Sequence, residues 1–137
     1  MIIQTMLPQK IVDYYAGISD KSLDEAYGYG LSEKVDKNFG WETNRGSAAR
    51  ALEVILSGDA STEAIANAIH KGWSEVALAF EEQNIRGYCE QIPEEKRATR
   101  RKLANTSWAQ LSRKDQEKDE VPAKAIMAEY ETKKLKI

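Results

Sequence analysis

Ser61-Thr-Glu-Ala-Ile-Ala-Asn-Ala-Ile-His-Lys-Gly-Trp-Ser-Glu-Val-Ala-Leu-Ala-Phe-Glu-Glu-Gln83 is the stretch on which the reading of this chain turns. Ile65, Ile69, Trp73, Val76 and Phe80 follow one another at intervals of 4, 4, 3 and 4 residues, which is one stripe of an amphipathic helix. Ser61 offers a capping oxygen, Glu63 sits in the first turn where the helix dipole favours an anion, and the Gly87 region ends the pattern.

Upstream, Ala48, Ala49, Leu52, Ile55 and Leu56 repeat with a helical period, with Ser47 as the expected cap and Gly58 placed to stop the helix. The short link Ser57-Gly58-Asp59-Ala60 then predicts an antiparallel helix pair. Downstream, Pro93 starts a charged helix through Arg97, Arg100 and Arg101 to about Asn105, since proline suits a first turn. Ser112-Arg-Lys-Asp115 reads as a short capping box, and a final helix is expected from about Pro122, with Ile126, Met127 and Tyr130 on one face and lysines at its end.

Residues 1–46 are broken by Pro8, Gly17, Gly28, Gly30 and Gly40, so short helices and loops are expected there, with Met1 to Leu7 as a short strand. Ser22-Leu-Asp-Glu25 and Ser32 to Asp36 each cap about one turn of helix. The expected fold is all-α, a compact bundle of about four to six helices in a single domain, 1–137, with an irregular helical part over 1–60 and a helical core over 61–130.

One domain of 137 residues buries a core without staples, and Cys89 is its only cysteine. No stretch resembles a signal peptide or reaches the roughly 20 apolar residues of a membrane span, so the expected location is the cytoplasm. The net charge of −2 hides an asymmetry: residues 1–93 carry 8 Lys or Arg against 14 Asp or Glu, and residues 94–137 carry 12 against 8. A basic carboxyl-terminal third reads first as a solvated helix laced with salt bridges and second as a surface for anions.

Enzyme readings find little support. His70 is the only histidine and Cys89 the only cysteine, which leaves no nucleophile–base or metal-ligand spacing, so no catalytic residue, metal or cofactor is expected. A small enzyme would require His70 to act with an acid distant in sequence. Gly28-Tyr29-Gly30 lacks the strand and third glycine of a phosphate-binding turn. Rings beside glycines are more informative: Tyr27-Gly28-Tyr29-Gly30, Phe39-Gly40-Trp41 and Arg86-Gly87-Tyr88. Each ring alone reads as a core plug. Together they lean toward a pocket, because glycine lets a backbone approach a ligand and a ring offers a stacking face. His70 and Trp73 are neighbours on one helix face, with a structural histidine as the default reading. Arg97, Arg100 and Arg101 present one cationic face, suited to phosphates.

Two of these segments resemble the repeat domain of ryanodine receptors, a small helical module also found in bacterial and phage proteins. Ile65-Ala-Asn-Ala-Ile69-His70-Lys-Gly-Trp73 resembles its aliphatic helix followed by His-x-x-Trp. Leu103-Ala-Asn-Thr-Ser-Trp108-Ala-Gln-Leu111-Ser-Arg-Lys114-Asp-Gln-Glu-Lys118-Asp119 resembles its Leu-x-Pro-Tyr-x-x-Leu stretch and Lys- and Asp-rich helix start, with Trp108 at the aromatic position. The resemblance covers roughly 61–130 and departs from the family at Arg86-Gly87-Tyr88, a shortened loop, at Glu120, where Arg is usual, and at Pro122. It implies a module that holds a nucleotide-like ligand between aromatic rings, whose prokaryotic members are suspected of sensing nucleotide-derived signals in conflict systems.

Position by position, the resemblance carries over His70, Trp73 and Trp108 as ligand-binding residues; Arg86, Tyr88, Arg97 and Arg101 join them from the charge and ring argument. The expected function is binding of a small anionic, nucleotide-derived second messenger. In a stand-alone form that amounts to sequestration, as by a phage anti-defence protein in its host's cytoplasm. The alternative is a module docking protein or nucleic acid through the basic helix 93–105, with nucleic acid disfavoured by the overall charge and homo-oligomerisation open.

Overall fold

The computed structural model describes residues 2–28 and 37–133. Its helices are α1 Gln9–Tyr27, α2 Lys37–Leu56, α3 Thr62–Gln83, α4 Tyr88–Gln91, α5 Glu94–Ala104 and α6 Arg113–Lys133, with single 3-10 turns at Ile85–Gly87 and Trp108–Gln110. The all-α expectation holds, and the described residues contain no strand. None of these helices is long and apolar enough to cross a membrane.

α3 is the axis. Ser61 caps it as read, its Oγ accepting from the Ala64 N–H at 3.1 Å, and its far end closes on Asn84 in the left-handed conformation. Ile65, Ile69, Val76 and Phe80 are buried against Leu52 and Ile55 of α2 and Ile126 of α6. α2 lies antiparallel to α3 along its length, α5 and α6 pack on its other sides, and α1 closes the bundle against α2 and α6.

Gly46 and Gly72 explain how close α2 comes. A Cβ on Gly72 would stand 2.1 Å from the Gly46 carbonyl oxygen, and one on Gly46 would stand 2.7 Å from the Gly72 oxygen. The helices therefore touch backbone to backbone, and only hydrogen fits at the crossing. Ser47, one residue on, donates to the Ile69 carbonyl at 3.0 Å across the same contact.

Several expectations for the flanking segments are corrected. Residues 1–60 are mostly two long helices, of 19 and 20 residues, rather than irregular. Gly17 and Gly40 lie inside them, because tertiary packing outweighs the roughly 1 kcal/mol that a helical glycine costs; Gly28 (74°) and Gly58 (104°), which follow α1 and α2, are at positive φ, as is Gly87 (74°) in the turn after α3. Ser47 is in the middle of α2 rather than its cap, and Ser22 sits within α1, donating to the Ser19 carbonyl. The expected amino-terminal strand has no strand to pair with. Instead the Ile2 N–H donates to Glu42 and the Thr5 hydroxyl to Glu53, which lays the segment along α2. The last helix starts at Arg113, on the Ser112 cap, and runs through Pro122, whose buried ring is accommodated in α6. The expected cap at Ser32 to Asp36 and the ring–glycine pair Tyr29-Gly30 lie outside the described residues.

The crossing yields a paired prediction. Gly72→Ala, normally a gain in a helix, is expected to cost about 1–3 kcal/mol because its Cβ meets backbone that cannot move aside. Gly17→Ala, whose Cβ meets nothing within 4 Å, is expected to stabilise by about 0.5–1 kcal/mol. Urea melts of the two variants check both signs.

Candidate functional site

Four long helices and the end of α5 enclose a cavity of about 200 Å³. Each long helix contributes residues one turn apart, the spacing that places side chains on one face. From α1 come Ser19 and Leu23; from α2, Thr43, Asn44 and Ser47; from α3, Ile69, His70 and Trp73. α6 supplies Asp115, Lys118, Asp119 and Pro122, with Leu103 and Leu111 completing the wall.

Most polar groups here are already engaged. Ser47 bonds Ile69, Thr43 donates to the carbonyls of Phe39 and Gly40 in its own helix, and Ser19 donates to Asn44 Oδ1 at 2.8 Å. His70 is 6% exposed, and its Nε2 stands 3.1 Å from the Leu103 carbonyl and 2.7 Å from that of Thr106. Both neighbours are acceptors, so Nε2 carries a proton and donates to them. The ring is thereby pinned to the end of α5, with Nδ1 turned 3.7 Å from Asp119 Oδ2. The distant acid that the enzyme reading required therefore exists, but its histidine is held in place by two carbonyls. Trp73, half-buried, lies nearly parallel to the His70 ring (centroids 6.1 Å apart, 14°).

Two groups lining the cavity are left over. Asn44 Nδ2 is buried without a hydrogen-bond partner. The Asp119 carboxyl, its side chain 16% exposed, makes no hydrogen bond to any described residue and has only the 3.7 Å approach of His70. Burial first, and the neighbouring charge of Asp115 second, push its pKa up to about 8 against the efforts of Lys118. Among the described residues, no group of three His, Cys, Asp or Glu side chains stands together as metal ligands.

Of the residues singled out in the sequence, His70 and Trp73 meet at this cavity. Trp108 lies behind it, 7% exposed, donating from Nε1 to the Gln116 carbonyl at 3.4 Å. Tyr88 is a core ring, stacked on Phe39 and accepting from Arg100 at its hydroxyl. Arg97 and Arg101 converge on Glu81 at 2.8 and 2.5 Å and also pair with Glu94. Arg86 is exposed in a left-handed turn after α3. Asn44 and Asp119 escaped the sequence reading as binding residues. A signal for the second was present: once Ser112 sets the phase of α6, Asp115, Asp119, Pro122 and Ile126 fall on one stripe, which puts two acids in line with a core isoleucine.

No family model matches the chain, and neither a curated protein nor a solved structure matches it.

The raised Asp119 pKa has a sign that can be measured. Between about pH 4 and pH 8 the unfolded chain has released this proton and the native one keeps it, so stability falls as pH rises through that window. The slope is at most about 1.4 kcal/mol per pH unit. Asp119→Asn removes this contribution, and urea melts at pH 5 and pH 8 are expected to diverge less for the variant than for the wild type; equal divergence refutes the assignment.

Proposed function

We propose that this chain is a binding protein for a small nucleotide-derived molecule, with the ring system held in the α1–α2–α3–α6 cavity and the anionic portion at the mouth beside Lys118. The observation that carries the reading is a pair of polar side chains left short of partners around one cavity, Asn44 Nδ2 on the α2 wall and the Asp119 carboxyl on the α6 wall. Burying such groups without partners is costly, and a ligand that supplies the partners recovers that cost. A cavity of about 200 Å³ is below the ~300–1,000 Å³ of sites for drug-sized ligands, which suits a single ring system. The indole of Trp73 offers that ring a stacking face.

The resemblance to the ryanodine-receptor repeat domain supports the same reading through His70 and Trp73, and through Trp108 behind them. On this reading capture of the molecule is the output, by sensing or sequestration in the cytoplasm, and a phage protein blunting a host's messenger is one setting that such chemistry serves. The basic-helix alternative is less well supported, since Arg97 and Arg101 are already engaged by Glu81 and Glu94.

A thermal-shift screen against nucleotides, cyclic dinucleotides and ADP-ribose derivatives tests it. At about 100 times the dissociation constant a true ligand stabilises by about 2.7 kcal/mol. That shift is expected to vanish in Trp73→Leu and to shrink in Lys118→Ala, with helical circular dichroism retained. A screen in which no compound moves the melting temperature overturns the proposal.

A further inference from the structure

We infer that the ring bound in this cavity carries an exocyclic amino group, and that Asp119 recognises it. The inference rests on the binding reading above and specifies its chemistry. Its basis is the polarity of what the cavity leaves unsatisfied.

His70 sets the pattern. Its Nε2 is committed as a donor to the Leu103 and Thr106 carbonyls, so in the neutral ring Nδ1 is a lone pair. Asp119 Oδ2 faces that nitrogen. At 3.7 Å the two stand too far apart for a hydrogen bond, so Nδ1 faces the carboxyl as a second lone pair and leaves its other oxygen to accept from a ligand.

Pro122 adds to this. It has no N–H, so the Lys118 carbonyl loses its i+4 donor within α6. Lys118, Asp119 and Pro122 all line the cavity, and Asp115 lies one turn earlier. The α6 wall thus carries two carboxyl groups, and Lys118, already 3.5 Å from Asp115, is its one cation among the described residues. The ligand edge that complements such a wall supplies N–H donors. From the α2 wall, Asn44 Nδ2 contributes the opposite character, a donor in need of an acceptor. An amino group next to a ring nitrogen or carbonyl, as on adenine, cytosine or guanine, presents both. An oxo group in the amino position turns an acceptor toward the Asp119 oxygen and leaves the carboxyl unpaired, and rejection on those grounds is the stronger half of the discrimination.

The test is isothermal titration of the intact protein with two matched pairs, adenosine against inosine and cytidine against uridine, together with their monophosphates. In the pair that fits the cavity, the amino member is expected to bind at least about tenfold more tightly, the loss associated with leaving one buried acceptor unsatisfied. Asp119→Asn, whose carboxamide offers both a donor and an acceptor, is expected to bring the two members of that pair to within about threefold while keeping the helical circular dichroism of the wild type. If the oxo member binds as well as the amino member, this inference fails while the binding proposal survives. If no compound of either pair binds but another nucleotide-derived molecule lacking an amino group does, the inference again fails alone. If nothing nucleotide-derived binds, the binding proposal fails and takes the inference with it.

Discussion

Gly46 and Gly72 bring the α2 and α3 backbones into direct contact, and the positions of the other helices follow from that contact. With no side chain between them, α2 presents Thr43, Asn44 and Ser47 immediately beside Ile69, His70 and Trp73 of α3. These six residues are two walls of one cavity only because the axes are so near. α6 closes the third wall through Pro122 and Ile126, and α1 the fourth through Ser19 and Leu23. A wider crossing would let core side chains fill the space, and the polar residues of α2 would face solvent or be unaffordable inside.

The same geometry explains where the charges and rings went. Arg97 and Arg101 of α5 meet Glu81 on α3 and Glu94 on α5 itself, so this part of the basic third is matched by one acid from the preceding helix and one of its own. This is the solvated-and-paired reading rather than an open cationic face. Phe39, Phe80 and Tyr88 form one aromatic cluster with Trp73 at its edge, and the Arg100 guanidinium lies over Phe39 at 3.9 Å. Phe39 and Tyr88, two of the rings noted beside glycines, therefore serve the core.

The parts of the fold legible in sequence were those governed by local rules. The apolar stripe of α3, its Ser61 cap, the Pro93 start and the Ser112 cap each depend on a few neighbouring residues, and each is found. The helix α1 and the first half of α2 were hidden because a glycine in a helix and a glycine in a turn look alike until packing decides between them; Gly17 and Gly40 fell on one side, Gly28 and Gly58 on the other. Pro122 misled in the same way, since a proline inside a helix and one at its start carry the same local signal. At the site, His70 and Trp73 were visible from their spacing. Asn44 was not, and Asp119 only as one of two acids in line with Ile126, because what marks both is how few partners the surrounding helices offer them.

Pro122 also divides α6 into two lengths with different anchorage. The length after it is fixed in the core by Ala123 and Ile126. The length before it bears Asp115, Lys118 and Asp119 and is braced within itself by Arg113 and Glu120. A helix missing a rung bends most cheaply at the gap. The missing rung therefore falls between two anchored lengths, the earlier one tied to Trp108 through the Gln116 amide, and side-chain contacts carry α6 across a place where its own ladder is incomplete.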